Sequence, residues 1–351
     1  MHKRFSYTLK YPLSSKIIIF DESRFEFLRD YVLQNKAYFL YKMRPEVIIL
    51  NPLIIFFLLI KIKSYNWSRL RKNFFGCLLD YYRFVIFSII APKVVITFND
   101  NSQGFGRLSK SLEGVTFIAI QNGKRNSILF NNNNKLNHDN YFCFGENDIN
   151  FFNKHGHEAN HYHPIGSFRA GISMEIFDEL SKINKYDICI VSIWRPWINN
   201  NHPDYKTSFK DIWDTFNSIN FMTKNFLESN SLKICVAMRS EQKYYKDEEK
   251  YWNDIFGDNV TLIPNDMINL SSFKAVQEST LVIGAASTLI LESYGMGKKV
   301  LYCDFTGTNK YVDFDSEIVL REKNYNIFSE RIKEIIEEPY GEYVLKNNKS
   351  K

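Results

Sequence analysis

The sequence is poor in cysteine, and the cysteines it has make no framework. Cys77, Cys143, Cys189, Cys235 and Cys303 are far apart, odd in number and free of any CxxC pair. A disulfide scaffold and a zinc knuckle are therefore excluded as organising elements. All but Cys77 sit in or beside apolar, strand-like runs, where a cysteine serves as a small buried hydrophobe in a reducing compartment. There is no GxGxxG, no P-loop GxxxxGK[ST], no GxSxG and no HExxH. Those absences argue against dehydrogenase, P-loop kinase, α/β-hydrolase and metalloprotease chemistry. Long apolar runs are missing too. The greasiest segment, Val47–Ile60 (VIILNPLIIFFLLI), is interrupted by Asn51 and Pro52, whereas a spanning helix needs ~20 apolar residues. It predicts a strand and then a helix starting at Pro52. Met1–Lys10 is polar and the first apolar run, Ile17–Phe20, is short, so no signal peptide is expected.

What the chain does have is bulk and an uneven charge. Its 351 residues, 45% hydrophobic and 24% charged, suit two globular domains. Residues 1–100 carry a net +9 and the remainder −3. Between Lys61 and Lys93 the only acid is Asp80, and the basic residues alternate with Trp67, Phe74, Phe75, Tyr81 and Tyr82. A basic, aromatic stretch of this kind suits an anionic membrane surface, a lipid-linked acceptor or an acidic sugar; a plain solvated basic face is the alternative. Nucleic acid is not expected, because no recognition module accompanies the stretch and the C-terminal half is acidic.

Strands and helices alternate along the chain. Lys16–Phe20, Tyr38–Tyr41, Val47–Leu50, Lys93–Phe98, Val115–Ile120 and Tyr141–Phe144 read as strands, with helices over Phe25–Leu33, Pro52–Lys63 and Trp67–Ile90. Asn131–Asn134 reads as a polar loop. A second series begins near residue 186: strands at Asp187–Ile193, Lys233–Met238, Val260–Ile263, Leu281–Ile283 and Val300–Tyr302, and helices at Ser208–Phe226, Lys243–Phe256, Ser272–Glu278, Thr288–Tyr294 and Ile327–Glu337. Such alternation predicts an α/β fold with two Rossmann-like domains, parallel sheets facing a cleft. The expected boundaries are 1–175, 176–325 and a C-terminal helix and tail at 326–351. Ligands of such sheets bind beyond the carboxyl ends of the strands, so the polar strand-end turns are where chemistry is sought.

The most informative turn lies in LVIGAASTLILESYGMGKKVLY (281–302). A strand runs into Gly284, then small residues, then Ser287 and Thr288 opening a helix. Small residues let a phosphate approach the backbone, and hydroxyls and free helix N–H groups then bind it. Glu292, one turn further on, is placed to accept ribose hydroxyls. An ordinary βαβ turn with a capping Ser-Thr pair fits the same residues. Asp100 follows strand 93–98 and is the first candidate for a catalytic carboxylate, as nucleophile or general base; capping the next turn is its other reading. Glu146 in FGEND is the alternative carboxylate. Asn101 and the turn Gln121-Asn122-Gly123 suit contacts with sugar hydroxyls. His155, His157, His161 and His163 lack the spacing of a zinc site, so no metal is expected.

The 281–302 stretch resembles the nucleotide-binding segment of GT-B glycosyltransferases. ITFNDNSQGFGRLS (96–109), FIAIQNGKR (117–125), YFCFGENDINFFNKHGH (141–157) and HPIGSFRAG (163–171) resemble a branch serving bacterial surface polysaccharide assembly, similar to the retaining Kdo transferases that use CMP-Kdo. The resemblance covers roughly residues 90–305. It implies that Ser287 and Thr288 bind the donor phosphate and Glu292 the ribose. It implies that Ser192, Trp194 and Arg195, and likewise Arg239 and Ser240, flank the donor, with an arginine neutralising the leaving phosphate. The implied activity is metal-independent transfer of a sugar from a nucleotide donor, CMP-Kdo or a related ulosonic acid, to a glycan or lipid-linked acceptor. The nucleotide sugar is a substrate, and no further cofactor is implied. A sugar-nucleotide epimerase, a polyol-phosphate transferase and a non-catalytic, membrane-associated nucleotide-sugar-binding protein are the alternatives. The expected location is the cytoplasm, with residues 61–93 able to meet the inner face of the membrane.

Overall fold

A computed structural model of the chain describes residues 5–10, 12, 14–22, 25–43, 46–49, 51–125, 135–178, 184–196, 209–308, 311–312 and 316–348. The polar run 131–134 and the first residue of the expected helix 208–226 lie outside them. The chain forms two compact units, one ending at Ile165 and the other starting at Gly166.

The first unit contains strands β1 (Phe5–Thr8), β2 (Ile17–Phe20), β3 (Phe39–Tyr41), β4 (Glu46–Ile49), β5 (Val94–Thr97), β6 (Thr116–Ile120), β7 (Asn137–Cys143) and β8 (Glu158–Pro164). Its helices are α1 (Phe25–Phe27), which runs on as a π-helical turn over Leu28–Leu33, α2 (Pro52–Ile60), α3 (Phe74–Ile90), α4 (Gln103–Ser109) and α5 (Glu146–Lys154). Six strands form one parallel sheet in the order β3-β2-β5-β6-β7-β8, while β1 and β4 pair separately. β-Branched runs such as IIIF and VVIT are buried, as parallel strands covered on both faces require. Aromatic rings fill the space between sheet and helices: Phe20 packs on Tyr41, Phe87 and Phe105. Helix α3 starts at Phe74 rather than Trp67, because the Asn73 side chain caps it by accepting from Gly76 N. The strand expected over Val47–Leu50 belongs to the small β1–β4 pair.

The second unit carries α6 (Phe168–Ile176), β9 (Tyr186–Val191), α7 (Lys210–Glu228), β10 (Ile234–Ala237), α8 (Tyr245–Phe256), β11 (Val260–Ile263), α9 (Ser271–Gln277), β12 (Ser279–Gly284), α10 (Thr288–Gly295), β13 (Lys299–Cys303), β14 (Val319–Leu320), α11 (Tyr325–Glu337) and α12 (Tyr340–Asn348). Its parallel sheet has the order β11-β10-β9-β12-β13-β14. Trp252, Phe216, Phe226 and Phe328 are its large, fully buried side chains. The C-terminal helices belong to this core: Tyr343 donates to Val300 O and accepts from Val300 N, and Lys299 Nζ donates to the final carbonyls of α11, where a cation suits the helix dipole.

Each sheet has one place where successive strands turn away in opposite directions. In the first it lies between β2 and β5, in the second between β9 and β12. Crevices at such points, beyond the carboxyl strand ends, are where this architecture binds ligands.

Candidate functional site

In the second unit the carboxyl ends of β9 and β10 lead into turns held by one buried carboxylate. Glu248, on α8, is fully buried. It accepts from Ser192 Oγ at 2.5 Å, Arg239 N at 3.1 and 3.2 Å, Ser240 N at 2.7 Å and Trp252 Nε1 at 3.3 Å. A carboxylate with this many donors tolerates burial, and it ties the two strand-end turns together. Sequence reasoning missed it, since an acid inside YKDEEKYW has the look of a solvated helix face. The one available signal was its place a turn before Trp252, on the apolar side of that helix.

With those turns held, Arg195 and Arg239 come close enough to feel each other's charge. Desolvation, then repulsion from Arg195, lowers the Arg239 pKa to about 10, although the residue still reaches solvent. Desolvation also lowers that of half-buried Arg195, whose guanidinium lies 5.4 Å from the Phe209 ring centroid. No acidic side chain among the described residues forms a salt bridge with Arg239. Beside it, the buried Ser240 Oγ has no hydrogen-bond partner among the described residues.

On the other side of β9, β12 enters α10 through Ala285, Ala286 and Ser287. Ala286 takes a left-handed conformation, φ 49°, costly for a residue with a Cβ, and its N–H donates to Tyr302 Oη at 2.9 Å. Ser287 is the N-cap of α10 but makes no side-chain bond to it. The first N–H groups of a helix have no intrahelical acceptor. Ser287 and Thr288 are both half-exposed. The turns after β9 and β10 and the N-terminus of α10 thus lie along the carboxyl edge of one sheet, around its β9–β12 switch.

Several expected donor contacts point elsewhere. The Ser192 hydroxyl is turned inward to Glu248, and Trp194 is buried in the apolar core. Gly284 is a packing glycine rather than a phosphate cradle: a Cβ there would come 3.2 Å from Val191 O and 2.8 Å from Ile290 Cδ1. Glu292 is buried against α6, accepting from Ser167 Oγ at 2.5 Å and from Arg169 Nη2 at 3.1 and 3.4 Å. As it stands its carboxylate is already engaged. The pair it makes fastens α6 to this unit, which starts at Gly166.

The first unit departs further from expectation. Asp100, expected to open onto substrate, has no exposed surface. Arg125 donates to both its oxygens, Nε at 3.0 Å to Oδ2 and Nη2 to Oδ1, and Tyr141 Oη donates at 3.2 Å. Burial between Arg125 and Tyr141 makes Asp100 half of an internal ion pair, with no open path for attack on a sugar. Gln121 is inward as well: its amide donates to Gly123 O and Asp148 Oδ1 and its oxygen accepts from Phe144 N. Asn122 Nδ2 donates to Phe98 O, and Gly123 is buried. These residues brace the ends of β5, β6 and β7. Asn101 and Glu146, at the start of α5, remain exposed. At this sheet's own switch, Asp21 adopts φ 81° and accepts from Asn99 Nδ2 at 2.6 Å. That left-handed conformation is costly for a residue with a Cβ, and nothing in the sequence signalled it.

The histidines are dispersed: His155 Nδ1 contacts Phe151 O, His157 Nδ1 accepts from Leu136 N, and His163 Nε2 contacts Asn140 Oδ1. Among the described residues no three of His, Cys, Asp and Glu are grouped to hold a metal ion.

Two parallel, doubly wound domains with the site at the switch of the second define the GT-B-type fold. The UDP-GlcNAc 2-epimerase of Neisseria meningitidis, bound to UDP-GlcNAc, is similar at TM-score 0.52 and 12% identity, over 95% of this chain and 94% of its own. That of Methanocaldococcus jannaschii, in complex with UDP-GlcNAc and UDP, is similar at TM-score 0.53 and 10% identity, over 92% and 93%. A glycosyltransferase from Rickettsia africae aligns at TM-score 0.48 and 9% identity, over 96% and 94%, too distant a likeness to argue from. No curated protein matches the sequence. Residues 118–316 match the family described as "putative O-antigen biosynthesis protein". The match spans more than half of the chain, and the chain belongs to that family.

Proposed function

We propose that this protein is a nucleotide-sugar-dependent glycosyltransferase of O-antigen-type polysaccharide assembly, with the donor diphosphate or phosphate held by the second unit. The observation that carries the reading is the polar edge at the carboxyl ends of β9, β10 and β12, where Arg195, Arg239, Ser287 and Thr288 all keep access to solvent on a chain of the O-antigen biosynthesis family. Accessible guanidiniums at carboxyl strand ends suit an anionic ligand. Ser287 and Thr288, both half-exposed, are the further donors in this reading. In this reading the leaving phosphate gains charge as the glycosidic bond breaks, and fixed cations with a helix dipole stabilise it. Glu292 would take a ribose only after leaving Arg169. Glu146 is the candidate base, since it is the exposed carboxylate among the two proposed.

The CMP-linked ulosonic donor finds no support in the fold relatives, whose named ligands are UDP and UDP-GlcNAc. UDP-sugars are therefore the first donors to try. Thermal-shift measurement with UDP, CMP, GDP and ADP tests the site, since a ligand bound only by the native state raises the midpoint. A shift with one nucleotide that disappears in Arg239→Ala supports the reading; no shift with any of them overturns it. A sugar-nucleotide epimerase is the second reading, favoured by the epimerases among the fold relatives above. Chromatography of the nucleotide sugar incubated without acceptor separates the two: conversion to a stereoisomer is epimerase chemistry, and an unchanged donor that is consumed once a glycan acceptor is added is transfer.

A further inference from the structure

The first unit exposes an apolar surface that the catalytic reading does not use. Helix α2 is apolar throughout, PLIIFFLLI, yet only Ile54 is fully buried. Nine of the twenty exposed large hydrophobic residues among those described lie between Leu53 and Leu78. Leu59 is 68% exposed, Phe56 55%, Phe74 53% and Phe75 83%. Scattered single apolar residues are ordinary on a protein surface, but a contiguous set marks an interaction site.

The charges around this surface are all of one sign. From Asn51 to Leu79 there is no acid, and Lys61, Lys63, Arg69, Arg71 and Lys72 fall within it. Asp80 neutralises one of them: it accepts from Arg69 at 2.8 Å, and also from Arg83 at 3.4 Å and Arg107 at 2.6 Å. Lys63, Arg71 and Lys72 are exposed and form no ion pair among the described residues. Trp67 and Tyr65 sit half-buried at the edge, their rings 5.2 Å apart, with Trp67 Nε1 donating to Ile62 O. Amphipathic aromatics at the margin of an apolar patch are the pattern of a membrane–water interface.

We infer that α2, the turn at 61–72 and the first turn of α3 form a docking surface for an anionic lipid bilayer, with the apolar side chains entering the headgroup–acyl boundary and the lysines and Arg71 contacting lipid phosphates. Nine residues of helix rise about 14 Å, under half of the ~30 Å hydrocarbon core, and no described helix is long and apolar enough to cross a membrane. The surface lies in the interface plane and does not span. Cations without acids choose an anionic bilayer over a protein groove, which would place carboxylates opposite them and acceptors for the helix ends. The basic stretch read from sequence as 61–93 is thereby divided: Arg83 and most of the second half of α3 are buried, and the docking part extends upstream into α2.

The test is co-sedimentation of the full chain, without nucleotide, with vesicles of phosphatidylcholine alone and of equal parts phosphatidylcholine and phosphatidylglycerol. The expected result is binding to the anionic vesicles that weakens with salt. Phe56→Ser with Phe75→Ser should lower partitioning by about tenfold per ring, from the apolar area each ring buries. Lys63→Gln with Lys72→Gln should lower it by about fivefold per charge. Phe221→Ser, on an exposed face of α7, should leave it unchanged. All four side chains are exposed, so the variants should unfold at the parent temperature, which calorimetry checks. Absence of binding to anionic vesicles overturns the inference, as does binding indifferent to both double substitutions. Light scattering that shows a dimer abolished by Phe56→Ser with Phe75→Ser, without vesicle binding, assigns the surface to a second copy and overturns it too. Nucleotide binding is measured separately, so neither proposal's failure mimics the other's.

Discussion

Replacing Asp100 by asparagine separates a catalytic carboxylate from a structural one. Arg125 is 7% exposed and Asp100 not at all, and two guanidinium nitrogens reach the carboxylate. Removing one partner of such a buried pair leaves the other charge uncompensated, a loss of roughly 3–5 kcal/mol. The first unit is a domain of ordinary size, for which a kcal/mol moves the midpoint by about 2–4 °C, so Asp100→Asn should lower its thermal midpoint by roughly 6–20 °C. Replacing both members by apolar residues of similar volume, Asp100→Leu with Arg125→Met, should recover most of that loss, because no charge is left buried. The double-mutant cycle of the parent, Asp100→Leu, Arg125→Met and their combination then yields a coupling of about 2 kcal/mol or more, near the upper range for residues in contact. Differential scanning calorimetry of the four proteins reads it directly. A nucleophile would behave otherwise: Asp100→Asn would melt within about 1 °C of the parent and lose sugar transfer. That result would refute the burial argument and restore Asp100 to the reaction.

Four further outcomes follow from the same geometry. Glu248→Gln puts an amide N–H₂ among donors from Ser192, Arg239, Ser240 and Trp252, and should cost about 2–3 kcal/mol by urea unfolding while weakening nucleotide binding through the displaced turns. Arg239→Ala should weaken nucleotide binding by about tenfold or more, at the 1.5–3 kcal/mol of a charged hydrogen bond, without lowering the melting temperature, since its side chain is exposed and in no salt bridge among the described residues; a lower midpoint without ligand would count against the anion-site reading. Gly106→Ala should destabilise by about 3 kcal/mol or more in chemical denaturation, because a Cβ there would stand 2.2 Å from Asn137 O, a backbone atom of β7 that has nowhere to go. His138 is buried against Tyr141 with neither ring nitrogen hydrogen-bonded among the described residues, and desolvation lowers its pKa to about 4. The unfolded chain therefore binds this proton more readily than the native one, so stability falls as pH drops from about 6.5 and the loss is complete near pH 4. At 1.36 kcal/mol per pH unit it amounts to about 3 kcal/mol. His138→Phe should flatten that part of the pH–stability curve.

The sequence by itself determined the fold class and most of the elements. β-Branched runs ended by polar turns can be buried only as parallel strands between helices, so β9, β10, β11 and β12 appear within a residue or two of their expected places, and the turn at 284–288 was recognisable from its small residues. The side chains that meet across strands were not legible. Asp100 and Arg125 lie 25 positions apart, Glu248 and Ser192 56, and Glu292 and Ser167 125. Whether a carboxylate at a strand end faces substrate or an internal arginine depends on which other strand end the sheet order brings beside it. Local pattern does not carry that order. The exposure of α2 was not legible either: the sequence placed a helix starting at Pro52, and only the tertiary arrangement shows Leu53, Ile55, Phe56, Leu59 and Ile60 at the surface. An apolar residue is buried only where a partner surface reaches it, and that partner is decided by the packing of the whole domain.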